Sequence, residues 1–336
     1  MKNTTLYLLL FLITFYSAPA KTTDDAIYSL AIQFFEPLPM TMPGSSNDNK
    51  SKIELGKRLY FEKALSINKT QSCNSCHDLL GLSENSEAGS VPGTGTDNLP
   101  VSIGALGIAG TRNSPTTWNA GLQFSQFWDG RASNLIEQAK LPILNPIEMA
   151  LPSEKEALIR LKKIGYLDLF INAFPNDADP LNFYNITDAL SAFQRTLISE
   201  DRLDQFLKGD KNILSKQEKS GLKTFITAGC VACHNGPLLG GQMFTRMGVV
   251  NPYPNNTDKG RAHITQDPAD NFIFKVPSLR NVSKTAPYFH DGAGITLEQA
   301  VKDTAFHQLG IKLTNEETQR ITSFLNTLEN LKVVTK

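Results

Sequence analysis

Apolar residues recur at helical spacing in several stretches of the chain. The stretch "IELGKRLYFEKALS" (Ile53 to Ser66) has this period, and further helices are predicted over 132–140, 153–163, 186–198, 215–227, 296–308 and 315–330. Thr187 or Ser215 suits an N-cap, and "TLEQA" (from Thr296) and "TNEET" (from Thr314) set a capping residue with Glu close behind. Strict alternation of the β type is scarce. Between the helices, "PLPMTMPGSSNDNKSK" (Pro37 to Lys52) is rich in turn formers, and "GLSENSEAGSVPGTGTDN" (Gly81 to Asn98) reads as a polar surface insertion. One stretch fits neither class. "VSIGALGIAGTRNSP" (Val101 to Pro115) is too glycine-rich for a good helix and too apolar for an ordinary solvated loop.

Composition narrows the class. With 336 residues, 40% hydrophobic and 20% charged, the chain can bury a sizeable core, and its length favours two domains. Lys+Arg and Asp+Glu are both 33, which offers no support for a nucleic-acid or anionic-membrane partner. At the N-terminus, Met1-Lys2 precedes an apolar run from Leu6 to Tyr16 and then "SAPA", a secretory signal pattern cut after Ala20. An uncleaved anchor is the alternative. No later segment approaches membrane-spanning length, so export to the periplasm as a soluble protein is expected.

The cysteines carry the chemistry. Cys73, Cys76, Cys230 and Cys233 fall in "CNSCH" and "CVACH", each pair spaced by two residues and followed by His. In an exported chain four cysteines would ordinarily suggest disulfides. The repeated C-x-x-C-H, however, is the attachment signature of c-type haem: two thiols add across the vinyl groups, and His77 or His234 supplies the proximal nitrogen. A four-thiolate zinc site would leave both histidines unexplained, and a redox dithiol would not be expected twice with His both times. The expected fold is therefore mainly α, two cytochrome c-like helical domains over 21–200 and 201–336, each with one covalent haem c. The junction falls near 199–212, and the C-terminal tail can pack back on the first domain.

Motifs along nearly the whole mature chain then resemble the bacterial di-haem cytochrome c peroxidase family, which includes the enzymes that mature methylamine dehydrogenase. They are "SCNSCHDL", "DNLPVSIG", "GTRNSPT", "QFWDGRA", "EQAKLPILNPIEM", "GCVACHNGPLLGGQMF", "DKGR", "FKVPSLRNV", "TAPYFHDG" and "QLG", in that order. The resemblance implies reduction of hydrogen peroxide to water at the N-terminal haem. Electrons from a small periplasmic cytochrome c or cupredoxin would enter at the C-terminal one. It implies that Trp128 lies between the haems, that Glu148 is the distal acid, and that the protein is a homodimer. It also implies a calcium site from Asn113, Thr285 and Pro287, weakly binding for want of a carboxylate. Arg112 is a candidate to stabilise negative charge on the peroxide oxygen, or equally a structural ion-pair partner. His290 is expected to hydrogen-bond near the second haem.

Two positions depart from the family pattern. Where many members place a His that caps the resting N-terminal iron, this chain has Ala105, and nothing from Gly104 to Gly110 can ligate. An iron open without reductive activation is predicted, the alternative being that the flexible loop brings in a ligand from elsewhere. Where the family has its distal Met at the C-terminal haem stands Thr304, a poor ligand. Loss of that thioether should lower the potential. His307, one turn on, is either a replacement ligand or an exposed residue of an amphipathic helix. Besides a peroxidase, two further readings stand. One is oxidation of a protein or organic substrate through a high-valent bis-haem state; the other is a non-catalytic electron carrier.

Overall fold

Most helices start on a short polar side chain that accepts one of the otherwise free first-turn amides. The computed structural model describes residues 23–81 and 93–332, so the signal at 1–20 and most of the insertion at 81–98 lie outside it. Helix α1 spans Thr23–Ala31, and α2, Lys50–Phe61, is capped by Asn49. The single turn α3, Cys73–Cys76, carries the first cysteine pair. There follow α4 (Leu135–Leu144, cap Asn134), α5 (Glu154–Lys163, cap Ser153), α6 (Leu167–Ala173) and α7 (Phe183–Gln194). Asn182 caps α7, so the N-cap role considered for Thr187 does not hold: Thr187 is buried inside the helix.

The second half repeats the scheme. Helix α8 spans Arg202–Leu207, and α9, Lys216–Thr227, starts at Ser215 with a reciprocal Ser215–Glu218 capping box. A short turn α10 (Ala262–Thr265) precedes α11 (Leu297–Leu309, cap Thr296) and α12 (Asn315–Leu325, capping box Thr314–Glu317). Among the described residues the only sheet is two antiparallel strands, β1 (Phe244–Arg246) and β2 (Ile273–Lys275), with Thr245 opposite Phe274. No described helix is long and apolar enough to cross a membrane.

Two apolar cores result. The first joins α2, α4, α5, α6 and α7 through residues such as Leu59, Ile143, Phe170 and Ile186. The second joins α8, α9 and α12 through Phe206, Leu222 and Phe324. Ile27 and Ala31 of α1, with Phe35, belong to this second core, so the N-terminal helix crosses the boundary drawn at residue 200. Leu331 packs on the first core from the other end of the chain. Nor is the junction a loose linker. Ser199, Asp201 and Asp204 are fully buried, and Arg280 meets Asp201 at 2.6 Å and Asp204 at 2.8 Å.

The halves are related by a repeat that sequence patterning did not expose. Residues 117–132 and 279–294 align without a gap. Asn119 and Asn281 both have φ 60°, Phe127 and Phe289 have φ 67° and 72°, and Gly130 and Gly292 have φ 69° and 66°. Both runs end in a bridged turn, Gln126 with Ala132 and Tyr288 with Gly294. Ser199 joins them: its hydroxyl accepts from Asn119 Nδ2 at 2.8 Å and from Asn281 Nδ2 at 2.7 Å.

Each half also closes on a helix pair in which one glycine lets the backbones touch. A Cβ on Gly56 of α2 would lie 1.8 Å from the Ala189 carbonyl oxygen of α7, and one on Gly221 of α9 would lie 1.9 Å from that of Arg320 in α12. The obstructing atoms are main chain, so relief requires the helices to part. Gly221→Ala should therefore cost about 1–3 kcal/mol, the range for overpacking, although alanine favours helix elsewhere. A lowered thermal midpoint of the haem-loaded protein checks this; an unchanged midpoint would show that α9 and α12 have room to spare.

Candidate haem sites

Each cysteine pair opens onto its own cavity. The first is walled by Tyr60, Cys73, Cys76, His77, Trp128 and Glu148, the second by Phe225, Cys230, Cys233, His234, Trp128 and Thr304. The pairs therefore do not meet in a four-thiolate site. Burial pushes the thiols up, to about 12 for Cys73 and about 11 for Cys76 and Cys230, so they are protonated at neutral pH.

The two histidines are prepared alike. His77 Nδ1 faces the Gly95 carbonyl oxygen at 3.3 Å, and His234 Nδ1 faces that of Leu239 at 2.8 Å. Burial lowers both pKa values, favouring neutral imidazole. A neutral ring that donates from Nδ1 keeps its Nε2 lone pair for a metal. The short helix α3 brings its two sulfurs and His77 to one wall because C-x-x-C spans a single turn.

Two further groups fit a haem in the second cavity. The Lys275 ammonium is buried, donating to Gln123 Oε1 and, at 2.7 Å, to the Ser125 carbonyl. No carboxylate pairs with it among the described residues, and burial lowers its pKa to about 7 against the pull of Asp129. His290 is 3% exposed with Nε2 unpartnered, its ring stacked on Phe274 with centroids 4.1 Å apart. A buried cation and a buried imidazole without anionic partners suit the carboxylate side chains of a haem.

A single wall separates the cavities: residues 113–116 with Phe127 and Trp128 line both. The Trp128 indole N–H donates to the Asn113 carbonyl at 2.9 Å, and the Trp128 carbonyl accepts from Lys275 N–H at 2.7 Å. Arg112 lines the first cavity, but its guanidinium is held by Asp129 at 2.6 Å and by both oxygens of Asp258 at 2.6 and 2.9 Å. Burial opposes its charge, yet these carboxylates hold its pKa above the ordinary value.

Glu148 stands in the turn after α4. Its Oε1 accepts from Asn145 Nδ2 at 2.7 Å, and burial raises its pKa against the opposing effects of Asn145 and Arg131. The Glu148 carbonyl accepts from Ala105 N–H at 2.7 Å, which pins the glycine-rich stretch over this cavity. That stretch forms a small turn bridged between Ile103 and Ala109. Ser102, Gly104 and Gly110 line the cavity, whereas Ile103, Leu106 and Ile108 face solvent. Its apolar side chains therefore do not lie against the ligand space; its backbone does.

The remaining candidates divide. Asn113, Thr285 and Pro287 all line the second cavity, and Asn113 Nδ2 donates to the Leu99 carbonyl at 3.0 Å. Thr304 of α11 lines that cavity; His307 does not. His307 is buried, not exposed, with Nδ1 3.1 Å from the Asn251 carbonyl and its ring edge-on to Tyr253. Lys275, Asn145, Asp258 and Ser199 were not found from sequence. Lys275 and Asp258 lie inside noted motifs but became legible only as partners across the fold.

Two cysteine-bearing cavities in a helical fold, each with a neutral histidine and sharing one aromatic wall, define a di-haem c-type oxidoreductase. Comparison with known proteins makes this specific. Residues 50–212 match the family model described as di-haem cytochrome c peroxidase. The cytochrome c551 peroxidase of Nitrosomonas europaea is 41% identical over 84% of this chain and 80% of its own length. That of Pseudomonas aeruginosa is 39% identical over 90% of this chain and 86% of its own. Among solved structures, a MauG-like protein associated with microbial copper homeostasis superposes with a TM-score of 0.75 at 30% identity, covering 87% of this chain and 93% of that one. The chain belongs to the di-haem cytochrome c peroxidase family.

Haem content follows from the two separate cavities. The wild-type protein should carry two covalent haems per chain by pyridine haemochrome assay. Replacing Cys230 and Cys233 with Ser should leave one. Retention of two covalent haems by that variant would overturn the assignment.

Proposed function

We propose that this protein reduces hydrogen peroxide at the first cavity, with electrons entering at the second, and that its first iron rests open. The observation that carries this reading is Glu148. It is a half-buried carboxylate of raised pKa on the wall of a cavity where, among the described residues, His77 is the only imidazole. The haem held by Cys73, Cys76 and His77 would supply the iron and the electrons for cleaving the O–O bond. Glu148 would take a proton from one peroxide oxygen and return it to the other, which leaves as water. Asn145 orients that carboxylate.

Trp128, set in the wall common to both cavities, is the natural route between the haems. Arg112, bound to Asp129 and Asp258, contributes by fixing that wall. The donor is taken to be a small periplasmic cytochrome c or cupredoxin, as the family resemblance implies. Periplasmic location rests on the signal pattern at 1–20. Calcium at Asn113, Thr285 and Pro287 would brace the wall from the second side through oxygen ligands. A homodimer would cover the exposed Ile103, Leu106 and Ile108. A carrier has no use for a carboxylate of raised pKa on the wall of its first cavity. Oxidation of another substrate would show instead as a long-lived oxidised state with little donor turnover.

Two outcomes test the reading. Glu148→Gln should slow the reaction of peroxide with the reduced protein by about 10²–10⁴-fold, the range for a general acid–base group. The resting ferric protein should show a high-spin first haem without prior reduction; a low-spin, six-coordinate first haem would sink the open-site reading.

The pH dependence has a definite sign. The deprotonated carboxylate is the active form, so the rate falls as pH drops through a pKa above 4.5, the ordinary glutamate value. Asn145→Ala removes a hydrogen bond that lowers this pKa, so the acid limb of the rate profile should move to higher pH. A limb that stays in place would separate Glu148 from the titration.

A further inference from the structure

The second cavity lacks a strong ligand where α11 faces it, because Thr304 offers only a hydroxyl. Other side chains on the lining carry donor atoms, but most are engaged elsewhere. Lys275 Nζ is held by Gln123 and Ser125. The Tyr288 hydroxyl donates to the Val282 carbonyl at 2.9 Å. The His290 Nε2 is unpartnered but buried, its ring stacked flat on Phe274 beside Trp128 on the side of the wall dividing the cavities. His307 is not on the lining.

Met247 is. It follows β1, is half-buried, and shares the lining with Thr245, Thr304 and Gln308. Its main chain is tied to the last turns of α11. Gln308 Oε1 accepts from Gly248 N–H at 2.9 Å and from Val249 N–H at 3.0 Å, while Gln308 Nε2 donates to the Arg246 carbonyl at 3.1 Å. The amide of Gln308 thus grips the residues on both sides of Met247. Thr304 and Gln308 are four residues apart on one helix face, so the clamp holds Met247 about one turn from the Thr304 side chain. The clamp is continued by Val250 and Asn251, whose N–H groups donate to the His307 carbonyl at 3.0 and 3.1 Å.

We propose that the Met247 thioether, delivered from the strand side, is the sixth ligand of the iron whose proximal ligand is His234. The chemistry suits it. A thioether is a soft, neutral ligand that favours ferrous iron, as an electron-entry haem requires. Met has three rotatable side-chain bonds and adapts to its surroundings, so the sulfur can settle over an iron that a short, β-branched Thr on a fixed helix cannot reach. The Gln308 clamp fixes the backbone from which the sulfur is delivered. This assignment rests on the second cavity holding a haem within the proposed electron path.

The test uses the resting ferric holoprotein without peroxide, so it can fail while peroxide turnover stands, and the reverse. The wild type should show the near-infrared charge-transfer band of thioether-ligated low-spin iron. Met247→Leu, similar in size but without sulfur, should lose that band, gain high-spin signal at the second haem and shift its reduction midpoint downward. Met243→Leu should leave the band in place. Two covalent haems per chain and an unchanged far-ultraviolet circular dichroism spectrum confirm that Met247→Leu folds. Absence of the band in the wild type, or its survival in Met247→Leu, overturns the proposal. A bis-histidine spectrum abolished by His307→Gly or His290→Gln assigns the ligand elsewhere and overturns it too.

Discussion

The space between the two haem cavities is set by the short run of main chain at Arg112 and Asn113. The Asn113 carbonyl holds the Trp128 indole, and the Asn113 N–H donates at 2.8 Å to the His290 carbonyl in the opposite half. The Arg112 guanidinium ties Asp129, next to Trp128, to Asp258 in the second half. With Lys275 N–H on the Trp128 carbonyl, the tryptophan is gripped by both halves at once. A redox relay needs fixed geometry between its centres, and these bonds give the dividing wall little freedom. The ion pairs are largely sheltered from water, where removing one partner is costly because the other charge is left buried.

The repeat shows how one backbone plan was given two chemistries. Trp118 and Arg280 hold equivalent positions before Asn119 and Asn281. Trp118 fills the first core and donates its indole N–H to the Gly93 carbonyl at 3.0 Å. Arg280 is buried between Asp201 and Asp204 and fastens the start of α8 to the 279–294 run. Trp128 and His290 are equivalent in the same way, with ring centroids 6.4 Å apart. One became the shared wall; the other lines the second cavity alone, with its Nε2 buried and unpartnered. The turn that supports both is the same, so the difference in role comes from one side chain.

Much of this was legible in sequence, and unevenly. Helices with strong apolar period and a cap, such as those starting at Ser215, Thr296 and Thr314, appear where expected. Short helices without that period, α1, α6 and α8, were invisible, and α1 packs into the core farther from it in sequence. The segment 199–212, rich in charges, reads in sequence as a domain junction. Two of those charges, on Asp201 and Asp204, are buried, because Arg280, far along the chain, pairs with both. Likewise, His307 sits one turn from Thr304, yet spacing along a helix does not say which neighbour occupies the facing space.

What the sequence determined by itself is the covalent chemistry: two C-x-x-C-H pentapeptides are local devices, complete within one helical turn. Together with the family's ordered motifs they also marked Glu148 and Trp128. The absence of a ligand at Ala105 and Thr304 is likewise a matter of residue identity. Only the tertiary structure decided that the cavities share one wall, that Arg112 is bound by Asp129 and Asp258, and that Glu148 is partly withdrawn from water. It also decided that Met247, and not His307, faces the second cavity. The reason is physical. A covalent motif needs only neighbours in the chain, whereas charge, burial and ligand access depend on atoms brought together from distant residues.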